Sequence, residues 1–236
     1  MTSAVDKAFH GLRHMISSGR LSAGQRFPPE NELCDELGIS RSSLREAVRM
    51  LAALGVVEAR HGSGTFVSLL RPEDLIGTLS LTIGLLPLDG LLELYEIRRV
   101  LESHVVAQAA ARITPEELES LYGHIEGIDT TDDPAKVTVF DHSFHSEIAR
   151  IAGNPALESL LAVFRSRSRH YQVFTLPGGP EMKRVTNEDH RAIVTALANR
   201  DPAAAASAAA AHVGRTESWL NALRPPVTED SDVGLA

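Results

Sequence analysis

The sequence has a single cysteine, Cys34. An internal disulfide is therefore excluded, and a chain that folds without one suits a reducing compartment. There is no apolar run of about 18 residues, the length at which a membrane-spanning helix becomes a candidate. Met1–Arg20 lacks the uninterrupted apolar core of a signal peptide. Together these absences point to a soluble, cytoplasmic protein with no membrane partner. An overall positive charge is missing too: the 236 residues carry −8 at pH 7, which taken whole argues against a nucleic-acid partner. The charge is unevenly placed, however. Residues 1–70 hold 8 Lys and Arg against 7 Asp and Glu, a net +1, and residues 71–236 hold 15 against 24, a net −9. The N-terminal part is free to present a local basic face. The length suits two domains better than one.

What is present in that part is organised around Ile39-Ser-Arg-Ser-Ser-Leu-Arg-Glu-Ala-Val-Arg49. Gly38 breaks the pattern before it, and Ser40 or Ser42 can cap a new helix. Leu44, Val48 and Leu51 form one apolar stripe, while Arg41, Arg45 and Arg49 line a different face. Three arginines on a helix are often only a solvated face. Here, though, the helix follows another helix and a tight glycine turn, as a recognition helix does before it enters a major groove. A first helix over Ser3–Ser18 is expected, with Val5, Phe9, Leu12 and Ile16 inward, and a short second one over Glu30–Leu37. After Gly55, strands over 56–60 and 65–68 flank a tip at His61-Gly-Ser-Gly64. Three helices and a β-hairpin make a winged helix-turn-helix, here spanning residues 1–70.

Leu21…Gly24…Phe27-Pro-Pro-Glu-Asn-Glu-Leu33, Ser40-Arg-Ser-Ser-Leu-Arg-Glu-Ala-Val48 and His61-Gly-Ser-Gly-Thr-Phe-Val67 resemble the GntR family of bacterial transcription regulators. The resemblance implies that Arg41 and Arg45 contact operator bases and phosphates, and that His61 and Gly62 bring the wing tip to the adjacent minor groove. Ser40, Ser42 and Arg49 complete the candidate surface. Many relatives carry Arg where this chain has Asn31, which can still bond a base or phosphate but lacks the bidentate cationic fork. The expected partner is a palindromic double-stranded operator bound by a homodimer.

Beyond residue 70 strand signals vanish. Residues 71–90 read as a linker or short helix, and 91–223 as an all-α antiparallel bundle. Its helices are expected over 91–112, 114–128, 135–152, 154–174, 181–199 and 201–223. Pro177–Pro180 reads as a breaker. The Ala-rich run 203–211 is compatible with low complexity, but flanking Val213, Trp219 and Leu220 favour an ordered helix. Residues 224–236, with two prolines and three acids, read as a disordered tail.

Polar residues interrupt the apolar stripes of this bundle. Asp141 and His145 sit one turn apart with Phe144 and Ile148; His190 shares a face with Ile193, Val194 and Leu197; His212 shares one with Ala208, Ala209 and Trp219. A lone buried histidine is usually satisfied locally. Several buried together with an Asp need a shared partner, and one divalent ion would satisfy all four. Arg98, on a face with Leu94, Leu101 and Val105, needs an anion, either Glu102 or the carboxylate of a ligand. Asn187, one turn before His190, is placed to add a hydrogen bond to such a ligand.

Arg98-x-x-Leu-Glu102, Asp141-x-x-x-His145, Glu188-Asp-His190-x-x-Ile193 and Ala211-His212 resemble the FCD-type ligand-binding domain of the FadR-like subgroup of GntR regulators. The resemblance implies that Asp141, His145, His190 and His212 bind zinc, nickel or a similar ion, and the Arg98 cation beside such a metal favours a small organic acid as the effector. A metal-dependent enzyme is the competing class, but no general base stands out beyond the ligands and an enzyme leaves the N-terminal domain unexplained. A purely structural metal is a third reading. The expectation is a metabolite-responsive regulator, a repressor, with no catalytic residues.

Overall fold

The computed structural model describes residues 3–169, 171, 173–176 and 178–226. The chain divides into two compact units, Met1–Thr78 and Leu79–Ala236. The division falls inside the stretch that reads as a linker.

In the first unit, α1 spans Ala4–Ser17, α2 Glu30–Leu37 and α3 Arg41–Ala53. The hairpin strands β1 (Val57–Arg60) and β2 (Gly64–Val67) follow, then the short α4 (Pro72–Gly77). Ser3 and Asp6 form a reciprocal capping box that starts α1, satisfying two amides that would otherwise face water unpaired. Gly38 ends α2 at φ 59°, in the left-handed region, where a side chain would be strained. Ser40 then accepts the Ser43 amide to open α3. The sharp turn between the two helices therefore rests on one glycine and one cap. β1 and β2 pair antiparallel with Val57 opposite Val67 and Arg60 opposite Gly64, and Arg26 adds an isolated bridge to Phe66.

The core of this unit joins Ala8, Leu12 and Met15 to Leu33, Leu44, Ala47, Leu51, Val57 and Val67. The stripe on α1 is thus rotated from the one expected: Phe9 and Ile16 only flank the core, and Val5 is half-buried. Small residues set that rotation. A methyl group added at Gly11 would meet Leu37 at 2.6 Å, so α1 approaches its neighbours on its least bulky face, which hydrophobicity alone ranks low.

In the second unit, the short α5 (Ser80–Ile83) precedes six longer helices among the described residues. They are α6 (Leu88–Arg112), α7 (Pro115–Thr130), α8 (Pro134–Ile151), α9 (Pro155–Arg169), α10 (Gly179–Ala198) and α11 (Pro202–Leu223). Thr114 and Glu117 form the capping box of α7, and Asp133 and Asp201 cap α8 and α11. α6 packs along α11 and against α8, α9 and α10. Ala205 and Ala209 are buried in that core, so the alanine run is a packed helix and not low complexity. Four boundaries differ from expectation by two residues or more. α6 begins at Leu88, inside the stretch that reads as a linker. α7 runs through Asp129 to Thr130, and α9 stops at Arg169, with a separate 3₁₀ turn at Val173–Thr175. α10 begins at Gly179 with Pro180 in its first turn, a position where the missing amide costs nothing. Arg224 caps α11 in the left-handed region and pairs with Asp89. The rest of the expected tail, from residue 227, lies outside the described residues.

Candidate metal centre and nucleic-acid interface

α8 carries Asp141 and His145 one turn apart on its inner face, α10 carries His190, and α11 carries His212. Ligand atoms of all four lie within 4.8 Å of one another. His145 Nε2 is 3.2 Å from His190 Nε2, and Asp141 Oδ1 is 3.7 Å from the first and 3.5 Å from the second. The rings of His145 and His212 stack with centroids 4.9 Å apart, and Phe144 stacks on His190 at 4.2 Å. All three imidazoles are buried. Burial first, then the positive charges of Arg165 and the neighbouring histidines, holds His145 well below the ordinary histidine range. Burial, His212 and Arg165 do the same to His190. Both rings are therefore neutral and offer lone pairs.

Those lone pairs converge. Two nitrogens at about 2.0–2.1 Å from one tetrahedral ion stand about 3.3 Å apart, close to the His145–His190 spacing. A donor set of three imidazoles and one carboxylate suits a borderline divalent cation. These residues fit a metal ion.

Charged groups surround the cluster. Arg98 donates from Nε to Glu102 Oε1 at 2.9 Å and from Nη1 to Ser168 Oγ at 2.9 Å, and its guanidinium lies over the Tyr95 ring. Arg165 of α9 joins Glu102 Oε2 at 3.0 Å to Asp141 Oδ2 at 3.2 Å. Burial opposes the charge on both partners of the Arg98–Glu102 pair. Their mutual attraction, with Tyr95 for the arginine and Arg165 for the glutamate, outweighs it. Arg98 is thus held above its usual range and Glu102 below the usual carboxylate range. On the far side Asp189 accepts two hydrogen bonds from Arg215, at 2.8 and 3.0 Å, and faces His212 Nδ1 at 3.6 Å. Burial raises its pKa, but His212 and Arg215 pull the net value down.

A cavity of about 70 Å³ opens beside the cluster, walled by Tyr95, Arg98, Thr138, Asp141, His212 and Trp219. Arg98 therefore reaches the cavity, but its charge is already met by Glu102, the alternative partner expected for it. Asn187 is placed elsewhere. Its Nδ2 donates to Ile125 O at 3.0 Å and to Asp129, and it is absent from the cavity wall. Three residues along a helix turn a side chain by roughly 300°, so Asn187 faces α7 while His190 faces the centre. Arg165, Ser168 and Asp189 escaped sequence reasoning. The usable signal was Arg165 four residues after buried Leu161, a charge on an apolar stripe.

In the first unit Arg41, Arg45, Arg49 and Ser42 are exposed along α3. Arg45 places Nε 3.1 Å from both oxygens of Glu30, and Arg49 pairs with Glu46 at 3.0 Å. Arg41 forms no ion pair among the described residues. Ser40 Oγ is occupied by its capping bond and by Ser42 Oγ at 2.9 Å. Asn31 is exposed in the first turn of α2, and His61 and Gly62 at the hairpin tip. Gly62 has φ +70° and open space where a side chain would stand. A groove runs between α3 and the hairpin, lined by Arg26, Glu30, Arg45, Arg49, Gly64 and Thr65. Arg26 was not anticipated: it is exposed, forms no ion pair among the described residues, and lies against Gly64.

Residues 4–67 match the family described as bacterial regulatory proteins, gntR family, and residues 93–215 match the FCD domain. The HTH-type transcriptional regulator YcbG of Bacillus subtilis (strain 168) is 36% identical over 80% of this chain and 78% of its own length. The putative L-lactate dehydrogenase operon regulatory protein of Escherichia coli (strain K12) is 29% identical over 88% and 83%. The HTH-type transcriptional repressor NanR of Enterobacter sp. (strain 638) is 29% identical over 89% and 83%. Among solved structures, a Streptococcus agalactiae GntR protein superposes with a TM-score of 0.59 at 32% identity, covering 91% of this chain and 99% of that one.

Proposed function

The chain belongs to the gntR family of bacterial regulatory proteins and carries an FCD domain, and we propose that this domain binds a divalent metal and a small organic acid that controls DNA binding. The chain is a DNA-binding transcription regulator and not an enzyme. The observation that carries the proposal is the convergence of Asp141, His145, His190 and His212 at the edge of a cavity. Zinc or nickel suits that donor set. Bound there, the ion would supply positive charge and an open position for a carboxylate oxygen.

The chain's own residues would do the rest. Among the described residues Arg98 Nη1 donates to a neutral hydroxyl, that of Ser168, and a carboxylate is the stronger acceptor. Thr138 on the same wall donates its proton to Pro134 O, so its oxygen would accept from the hydroxyl of a hydroxy acid, and Tyr95 and Trp219 would cover the carbon skeleton. Two of the relatives are named for a lactate dehydrogenase operon and for repression, which supports a hydroxy acid and a repressor. In the first unit α3 would enter the major groove, with Arg41, Arg45 and Arg49 toward bases and phosphates, and His61 and Gly62 would approach the minor groove. A cytoplasmic homodimer on a short palindrome completes the reading.

The test has two arms. Elemental analysis of protein never exposed to chelator should find zinc, nickel or a similar ion, and operator affinity should exceed that for random DNA. A protein that neither contains nor takes up metal sinks the metal reading. Equal affinity for operator and random sequence sinks the sequence-specific one.

A further inference from the structure

A metal-binding imidazole needs its second nitrogen held, because the group facing that nitrogen decides which one carries the proton and where the ring points. In this bundle two carboxylates stand at those second nitrogens. Glu102 Oε2 of α6 lies 3.7 Å from His145 Nδ1, and Asp189 Oδ2 of α10 lies 3.6 Å from His212 Nδ1. These separations are longer than a formed hydrogen bond. They are short enough for the negative charge to favour an N–H at Nδ1 and a lone pair at Nε2.

Both carboxylates are fixed from behind by arginines. Arg98 and Arg165 occupy Glu102, and Arg215 occupies both oxygens of Asp189. Arg165 also reaches Asp141 Oδ2, leaving Oδ1 toward the histidines. His190 is the exception. Its Nδ1 is buried without a hydrogen-bond partner among the described residues, and its ring is held by stacking on Phe144.

We propose that Glu102 and Asp189 are positioning residues of the metal centre, each facing the Nδ1 of one histidine so that its Nε2 lone pair is presented to the ion. This rests on the metal reading above and extends it to groups that never touch the ion. It also reassigns Arg98, whose first task is to hold Glu102 in place.

The experiment uses the full-length protein, stripped of metal and titrated with Zn²⁺ against a chromophoric chelator, and separately with Co²⁺ read by its visible absorption. Asp189→Asn keeps the size of the side chain and removes its charge. Zn²⁺ affinity should fall on the order of 10–100-fold, and the Co²⁺ bands should shift, with unchanged stoichiometry and with the metal-free protein still melting cooperatively, though lower for the weakened Arg215 pair. Glu102→Gln should do the same to affinity. It also leaves Arg98 and Arg165 buried beside a neutral group, so where it fails to fold Asp189→Asn decides. Glu188→Gln is the control: it removes the charge of an exposed carboxylate beside Asp189 that pairs with Arg184. Wild-type affinity and spectrum in Asp189→Asn would overturn the proposal, as would an equal loss in Glu188→Gln. Wild-type protein that binds neither ion would overturn the metal reading and this inference with it.

Discussion

Arg45 on α3 is clasped by Glu30 at the start of α2, its Nε 3.1 Å from both carboxylate oxygens. A flexible arginine on the proposed recognition face is thus given one direction by a residue from the preceding helix. The pair is solvent-exposed, so its worth to stability is small, and its consequence is for DNA. Arg45→Ala should weaken operator binding by ~1–3 kcal/mol if a base contact is lost. Glu30→Gln should act differently. It removes a negative charge from the groove and unclasps Arg45, so affinity for random DNA should rise while the ratio of operator to random affinity narrows. Competition binding with both DNAs checks this, and an unchanged ratio would show that the clasp does not serve specificity.

Arg26 makes a second prediction. It is an unpaired cation among the described residues, held beside Gly64 at the tip end of the wing and facing the same groove as Arg45. A phosphate contact there carries no sequence information. Arg26→Ala should weaken operator and random DNA alike and reduce the slope of log affinity against log salt by about 1. A loss confined to the operator would assign Arg26 to base recognition instead.

The metal ligands make a third. Binding to the folded state alone adds about 2.7 kcal/mol of stability when free metal is 100 times its dissociation constant. His145→Ala, His190→Ala and His212→Ala should each lower metal content and abolish the rise in melting temperature that Zn²⁺ gives the wild type. His190 is the most deeply buried of the three, so its variant also loses packing. Elemental analysis and melting curves with and without Zn²⁺ provide the check. A variant with full metal content would remove that residue from the ligand set.

Much of this was legible in one sequence, for a definable reason. Asp141, His145, His190 and His212 each interrupt an apolar stripe at helical spacing, and such a stripe declares which way its polar members point. The turn at Gly38 and the cap at Ser40 announce themselves by residue type. Arg165 and Asp189 do not, because a charge looks solvated until the helix across from it is known, and Glu102 was legible only as the partner of Arg98 one turn away, not as the group facing His145. Glu102 and Arg165 stand 63 positions apart. Arg26 was hidden similarly, in a loop that meets the wing through backbone bonds distant in sequence, Phe27 N–H to Thr65 O and Val67 N–H to Gln25 O among them. Asn187 was misjudged on rotation alone, since a residue one turn from His190 still faces another helix.

The last prediction couples the two activities. Arg98 offers the cavity a guanidinium edge that, among the described residues, is bonded on that side to Ser168, next to a cluster that suits a metal. A small hydroxy- or dicarboxylate bridging the two would draw on α6, α8 and α11 together. For the acid to act as a switch it must bind one state of the regulator better than the other. By linkage, operator DNA must then change acid affinity by the same factor, typically 5–150-fold. The expected sign is release from the operator, as for a repressor relieved by its metabolite. Trp219 lies on the cavity wall two turns beyond His212, so its emission should report occupancy. Arg98→Ala alone is ambiguous, because it also strips Glu102 of a partner. Arg98→Lys keeps the charge beside Glu102 but loses the planar fork. Acids are therefore titrated against Trp219 emission and operator binding in wild type, Arg98→Lys and Arg98→Ala, with metal content measured in each. Weaker acid binding in Arg98→Lys at full metal content, with operator release shifted by the same factor, is the expected result. An acid that binds Arg98→Lys and Arg98→Ala as tightly as wild type, or that binds without changing operator affinity, would show that the two sites are not coupled in this way.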